Sequence, residues 1–298
     1  MSSPLAPGGA PAPADAPADD PADDPGAAPL VTFYVMANRQ EAQVREAVAG
    51  ALAQTYAPLE IVLSDDASPD GTYRIMQEMA AAYDGPHRVI LNRNPRNLGI
   101  AAHIDRIVAL SSGELIVQNA GDDVSRPERA ARLAQAWRAS GKRAMTVYSA
   151  ADSIDADGAA IGRRGLPEGM PDAPSPEAVL RRGLITLGAT CAWSREVFDR
   201  FGPLGGEGLL VEDLVTTFRS AVLGEIVYLD EALMGWRAGG LSWNENRRPG
   251  HEALFGQWHV YRKWRAASYR GVLRDLEAGP VAEADRPALR AICEAKRA

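Results

Sequence analysis

The sequence predicts an α/β fold built on a mostly parallel central sheet, and three observations carry that expectation. From residue 30 onward, short runs of β-branched and aliphatic residues alternate with longer stretches of helical periodicity, the pattern of successive βα units. Polar and acidic clusters follow the strands, at the edge where open α/β sheets gather loops and helix N-termini. Hydrophobic residues at 46% and charged residues at 24% of the 298-residue chain supply a sizeable core. One continuous α/β unit accounts for most of the length.

The elements follow in order. Residues 30–36 read as a first strand. Over 41–54, Val44, Val48, Ala51 and Leu52 share one helical face, and 59–63 form a second strand ending in Ser64-Asp65-Asp66. Ser68 before Pro69 fits an N-cap with proline at the first helical position, which predicts a helix from there to Tyr83. Residues 87–91 are a third strand, 98–110 a third helix, and 114–119 a fourth strand running into Gly121-Asp122-Asp123. Ser125-Arg126-Pro127-Glu128 has the form of a capping box opening the next helix.

Beyond Ala144 the alternation loosens. A strand at 145–149, a hairpin turn at Asp157-Gly158 and a Gly/Pro-rich loop over 165–176 come first. A strand at 189–193, helices near 195–201 and over 212–223, and a strand at 226–229 follow. Residues 246–298 read as helical, with Trp258, Tyr261 and Trp264 at i, i+3 and i+6.

Composition excludes several classes. Residues 1–29 are Ala, Pro, Asp, Gly and Ser almost throughout, without an aromatic, Lys or Arg, and are expected to be a disordered tail. Asp15, Asp19, Asp20, Asp23 and Asp24 place five of the seven net negative charges there. No dense Lys/Arg cluster stands beside stacking aromatics, so nucleic acid is not the expected partner. The tail lacks the form of a signal peptide and no run has the apolar length of a membrane span, so the expected location is the cytoplasm. Cys191 and Cys293 have neither disulfide density nor metal-ligand spacing and are expected as buried free thiols. Arg262, Lys263, Arg265, Arg270 and Arg274 make the C-terminal helices basic. Such a face is ordinarily solvated, but it also fits peripheral contact with the inner face of an anionic membrane.

Both acidic pairs, Asp65-Asp66 and Asp122-Asp123, fall on the ligand-binding edge. A hard divalent cation is held by one or two carboxylates plus phosphate oxygens, and Asp122-Asp123 after an apolar strand has that form. Taken alone, Gly-Asp-Asp before a helix is equally a turn with favourable dipole charge. The surrounding motifs add weight. They are Ala53-Gln54-Thr55-Tyr56, the run from Leu59 through Ser64-Asp65-Asp66-Ala67-Ser68-Pro69-Asp70-Gly71-Thr72, Asn97-Leu98-Gly99-Ile100, Ser112-Gly113-Glu114-Leu115-Ile116, and Gly121-Asp122-Asp123 with Pro127-Glu128-Arg129.

In content and order these motifs resemble the inverting family two glycosyltransferases of bacterial type, enzymes of the Rossmann-like GT-A fold that transfer sugars from nucleotide diphosphates. The resemblance implies a catalytic domain over 30–245, with a nucleotide-binding half over 30–145 and an acceptor half over 146–245. It implies that Asp66 contacts the nucleobase, a role that suits the imide N–H of a UDP or dTDP donor. Ala37 and Asn38 would contact base and ribose, Asn97 and Gly99 would shape the diphosphate side, and Asp122 would face the donor ribose or sugar. Asp123 would be the ligand of Mg²⁺ or Mn²⁺.

In the acceptor half, Glu212-Asp213 resembles the family's acidic pair. Asp213 would be the base and Glu212 an acceptor contact, although helix N-terminal charge complementarity also explains the pair. The segment 236–242 resembles the family's late loop, where Arg237 would meet phosphate oxygens. The implied acceptor is a saccharide, glycolipid or other hydroxyl, in polysaccharide or glycoconjugate synthesis. Ala37-Asn38-Arg39 stands where a Tyr-Asn pair is usual, Ile104 and Asp105 stand where an Arg-Asn combination is usual, His103 replaces a small residue, and 236–242 holds no late histidine. Trp193, Trp236 and Trp243 suit either sugar stacking or packing. Two alternatives stay open: a nucleotidyltransferase, whose glycine-rich phosphate loop 37–41 lacks, and a catalytically silent sugar-nucleotide-binding module.

Overall fold

The computed structural model describes residues 28–166, 168–171, 173–183, 186–205, 212–239 and 251–297, without the side chains of 251–262. The expected disordered tail lies almost wholly outside these residues, as do Trp243 and the side chains of Trp258, Tyr261 and Arg262.

The first half is a run of right-sized βα units. Strands β1 (Val31–Ala37), β2 (Leu59–Asp65), β3 (Arg88–Arg93) and β4 (Leu115–Ala120) pair in parallel in the order β3-β2-β1-β4. Helices α1 (Val44–Leu52), α2 (Thr72–Ala81) and α3 (Ile100–Leu110) connect them. Two connections step outward from β1, and α3 returns the chain to its other side. That reversal opens a crevice beyond the carboxyl ends of β1 and β4, the usual ligand site of such sheets. Alternate residues enter opposite cores: Phe33 and Val35 pack with Val44, Val48, Met76 and Trp137, while Tyr34 and Ile116 pack with Ile104, Trp193 and Phe218. Burial on both faces is why these strands are continuous apolar runs.

The second half widens the sheet. Strand β5 (Val124–Ser125) is followed by α4 (Arg129–Ala139), β6 (Ala144–Ile154), β7 (Ala160–Arg164) and α5 (Pro176–Arg182). A 3₁₀ turn at Gly188–Thr190 leads into β8 (Cys191–Ser194), the short α6 (Glu196–Asp199), α7 (Asp213–Leu223) and β9 (Glu225–Arg237). Strand β8 is antiparallel between β4 and β6, and β9 runs parallel to β6. The far end of β9 curves over the loop after β4, where Gly235 pairs with Val124. The sheet is therefore mixed, with β1, β2, β3, β4, β6 and β9 running in one direction.

Several boundaries depart from the sequence expectation for physical reasons. Helix α2 does not begin after Ser68, because the Ser68 hydroxyl accepts the Arg39 N–H at 2.9 Å; Asp70 Oδ1 instead accepts from Thr72 N at 3.1 Å and Thr72 Oγ1 at 2.6 Å. The Ser-Pro capping signal is realised at Ser175-Pro176, inside the expected loop, where Ser175 Oγ accepts from Ala178 N and Gly183 closes α5 in the left-handed conformation. Ser125 is no capping box: it lies in β5 and its hydroxyl donates to Asn119 Oδ1 at 2.8 Å. Strand β9 runs on to Arg237 rather than stopping at 229.

The expected C-terminal helices are present as α8 (His251–Ala278) and α9 (Arg286–Arg297). Their apolar side chains Val272, Leu276, Leu289 and Ile292 join the core under α7 and α5. Arg274, one of the basic residues noted above, donates to the carbonyls of Leu204 and Gly205. Among the described residues no helix is long and apolar enough to cross a membrane.

Candidate active site

The β1/β4 crevice brings together the residues the motifs singled out. Ala37 ends β1, and its carbonyl accepts the Asp66 N–H at 2.8 Å. Asn38 turns its amide back onto the Asp66 carbonyl at 2.8 Å, so these two strand ends are one unit. The Asp66 carboxylate is nearly buried and accepts three bonds, from Asn94 Nδ2 (2.8 Å), Leu98 N (2.8 Å) and Gly99 N (3.0 Å). It thus anchors the Asn97–Gly99 turn while keeping acceptor capacity for one further donor. Asn97 Oδ1 also accepts the Gly99 N–H at 3.0 Å, and Gly99 has φ +77, a conformation suited to glycine. His103 sits beneath, its Nε2 2.7 Å from Ser64 Oγ; burial lowers its pKa, so the imidazole is neutral at pH 7. Asp105 instead accepts the Leu204 and Gly205 N–H groups and fixes the loop leading toward α7.

Asp122 and Asp123 follow β4. Asp123 is 2% exposed, and its Oδ1 accepts the backbone N–H of Arg237 at 2.8 Å. Burial and the adjacent Asp122 charge raise the Asp123 carboxyl well above the carboxylate range, and burial raises Asp122, whose carboxylate takes a bond from Gln40. Asp123, buried, and Asp122, half-buried, are adjacent carboxylates of the kind that hold a divalent cation. Among the described residues no cluster of three or more His, Cys, Asp or Glu surrounds them, and phosphate oxygens are the kind of ligand that would complete such a site.

Arg237 reaches this site by its backbone. Its guanidinium, 4% exposed, turns inward to the carbonyls of Asp122 (2.8 Å), Asp155 (2.8 Å) and Ala156 (2.6 Å) and to Glu46 Oε2 (2.6 Å). In this structure the group clamps the acidic loop to α1 and to the β6–β7 turn.

Glu212 and Asp213 open α7. Glu212 is buried and hydrogen-bonded by the Gln118 side chain, and burial raises its pKa. Asp213 is raised strongly by burial and the Glu212 charge, with a hydrogen bond from the Gly188 backbone N–H as the opposing influence. A Cβ on Gly188 would collide with Asp213 Oδ1, so any other residue there would displace this carboxylate. Two desolvated carboxyls side by side differ from a solvated helix start, whose acids keep ordinary pKa values.

Sequence reasoning missed Gly188, Gln118 and Glu46. Gln118 left a faint signal, a polar residue inside an otherwise apolar strand. The others are recognisable only through partners distant in the chain. Of the tryptophans, Trp193 is fully buried and meets Phe198 edge-on at 5.8 Å, so it packs rather than stacks on a ligand. Trp236 is covered by the Arg164 guanidinium at 3.8 Å.

The parallel β3-β2-β1-β4 sheet, the acidic loop after β4 and the second acidic pair on the added half define a glycosyltransferase of the GT-A fold. The chain belongs to glycosyl transferase family 2, whose sequence model matches residues 33–201. This membership removes the nucleotidyltransferase alternative. It is 34% identical over 103 residues to the putative glycosyltransferase EpsE of Bacillus subtilis, covering 35% of this chain and 36% of EpsE. It is 32% identical over 130 residues to the chondroitin synthase of Escherichia coli, covering 44% of this chain and 18% of that protein. Each match thus spans well under half of the relative. Among solved structures, residues 1–349 of Staphylococcus aureus TarS, in complex with UDP-GlcNAc, superpose with TM-score 0.55 at 16% identity over 90% of this chain and 88% of that one. The mannosyltransferase PcManGT of Pyrobaculum calidifontis, in complex with GDP-Man and Mn²⁺, gives 0.55 at 17% identity over 91% of this chain and 70% of that one.

Proposed function

We propose that the chain transfers a glycosyl group from a UDP- or dTDP-type sugar to an acceptor hydroxyl, with inversion at the anomeric carbon, in polysaccharide or glycoconjugate synthesis. The observation that carries this reading is the Glu212-Asp213 pair, Glu212 buried and Asp213 half-buried against the Gly188 turn, with both carboxyls raised above the ordinary carboxylate range by desolvation. Inversion needs one displacement: the acceptor oxygen attacks the anomeric carbon, the bond to the diphosphate oxygen breaks on the opposite side, and the acceptor proton passes to a base. Asp213 takes that proton. Its elevated pKa makes it a stronger base than a solvated aspartate, and Glu212 orients the acceptor.

On the donor side, Asp66 uses its remaining acceptor site for the nucleobase while Ala37 and Asn38 line base and ribose. The Asn97–Gly99 turn borders the diphosphate, and Asp122 faces the donor ribose or sugar. Asp123 holds Mg²⁺ or Mn²⁺ together with diphosphate oxygens, an ion that would offset the charge developing on the leaving diphosphate. Arg237 positions Asp122 and Asp123. The relatives named for a polysaccharide synthase and a putative glycosyltransferase support a saccharide or other hydroxyl acceptor.

The test is a screen of nucleotide sugars with Mn²⁺ or Mg²⁺, reading donor hydrolysis, transfer to acceptor pools and thermal stabilisation by nucleoside diphosphates. Stabilisation and turnover are expected, and Asp213→Asn should abolish transfer while donor binding persists. No stabilisation by any nucleoside diphosphate with metal present would overturn the proposal; binding without turnover would favour a silent binding module.

A further inference from the structure

Arg129 is one of the largest fully buried side chains of the protein, yet among the described residues no carboxylate lies within ion-pair distance of it. Its guanidinium meets four neutral oxygens instead. Nη1 donates to Asn119 Oδ1 (3.0 Å) and Ser125 Oγ (2.8 Å); Nη2 donates to the carbonyls of Gln118 and Ala189, both at 2.7 Å. Burial without an ion pair pulls its pKa down to about 10. Burying a cation this way is unfavourable for folding, and an apolar side chain would fill the space at lower cost. The arrangement calls for another explanation.

The four acceptors fall into two groups, one on each acidic pair. Gln118 and Asn119 end β4, and the Asn119 amide donates onward to the carbonyls of Ala120 (2.7 Å) and Asp123 (3.1 Å). Ala189 belongs to the Gly188–Thr190 turn whose first N–H holds Asp213. A planar fork with fixed donor directions spans both sites; a lysine ammonium cannot hold both ends at once. We propose that Arg129 is a positioning residue that sets the donor-side loop of Asp122 and Asp123 and the acceptor-side turn beneath Asp213 in one fixed relation. This rests on the reading of Asp213 as the base.

A consequence for pH follows. Asp213 is faced by Glu212 on its own helix, by Tyr34 of β1, by Cys191 at the start of β8, and by the Gly188 N–H, which is the contact that lowers its pKa. Freeing the Ala189 carbonyl loosens that N–H, so the Asp213 pKa should rise further.

The experiment compares Arg129→Lys with the unmodified full chain for kcat, both KM values, melting temperature and the acidic limb of the kcat profile against pH. The expected result is a fall in kcat of about tenfold or more, KM values within about threefold, and an acidic limb moved to higher pH. A lower melting temperature with kcat and the limb unchanged, or a change confined to KM, would overturn the proposal. If Arg129→Lys does not fold, Ser125→Ala removes one acceptor and leaves the guanidinium; a smaller fall in kcat is expected, and an unchanged kcat overturns the inference. Asp213→Asn, run in parallel, separates the two levels: retained transfer there refutes the base assignment, whereas lost transfer with an unaffected Arg129→Lys refutes the coupling alone.

Discussion

The backbone N–H of Arg237 donates to Asp123 Oδ1 across 2.8 Å, joining residues 114 positions apart in the chain. The same residue's guanidinium then ties that loop to α1 and the β6–β7 turn. The acidic loop is therefore held from behind by the last residue of β9.

Arg237→Ala keeps the backbone bond but removes a 4% exposed guanidinium and its bonds to Asp122, Asp155, Ala156 and Glu46, although the Asp155 carbonyl keeps the Gly158 N–H. We expect a loss of about 1 to 3 kcal/mol in denaturant unfolding, from lost hydrogen bonds and packing, together with a higher metal concentration for half-maximal activity. Glu46→Gln serves as the contrast. Glu46 is 56% exposed, so its ion pair contributes only about 0 to 1 kcal/mol. If the two variants cost the same, the clamp is not where the geometry puts it.

Gly188→Ala tests the acceptor side. The added methyl would collide with Asp213 Oδ1 and also approach Glu212 Oε1 at 3.5 Å. The Asp213 carboxylate must shift while Glu212 stays at ordinary contact distance, and displacement of a reacting group by about 1 Å can cost about a hundredfold in rate. We expect kcat to fall by about that factor while circular dichroism and donor binding stay near those of the unmodified chain. A variant with full activity would show that Asp213 has room to move without consequence.

These two sites differ in how visible they were beforehand. The strand ends Asp65-Asp66 and Asp122-Asp123 are local signals, an apolar run followed at once by acids, and the sheet follows from the same periodicity. Ser68 misled because its hydroxyl is taken by Arg39, 29 residues away, and a hydroxyl engaged by tertiary structure cannot cap a helix. The acceptors of Arg237 lie on three other segments, so its place in the 236–242 run does not reveal them. Gly188 and Arg129 act through approach distances and distant carbonyls, which no spacing encodes.

Arg219 and Asp275 join α7 to α8 through Nε–Oδ2 and Nη2–Oδ1 contacts of 2.8 and 2.9 Å, with both side chains buried. Arg219 also donates to the carbonyls of Gly202 and Pro203, in the loop that Asp105 and Arg274 hold from other sides. Asp275→Ala strands a buried guanidinium, and we expect a loss of about 3 to 5 kcal/mol by chemical denaturation. The Arg219→Met, Asp275→Leu double variant should recover much of it. Equal destabilisation in single and double variants would mean that packing, not charge, dominates there.

The last prediction concerns pH. Asp213 and Glu212 are both raised by burial, and each carboxyl therefore binds its proton more tightly in the folded chain than in the unfolded one. Between the ordinary carboxyl pKa and the raised values the folded state holds more protons, so its stability falls as pH increases through that window. The contribution is fully present below the unfolded pKa and is lost as pH rises through the folded one. Asp213→Asn keeps an acceptor for the Gly188 N–H but cannot ionise. Without nucleotide or metal, its melting temperature should exceed that of the unmodified chain at pH 8, with the difference shrinking toward pH 4. The measurement is a thermal-melt series of both proteins across that range. A difference that is flat with pH, or that grows on acidification, would mean that Asp213 carries no elevated pKa and is poorly suited to receive the acceptor proton.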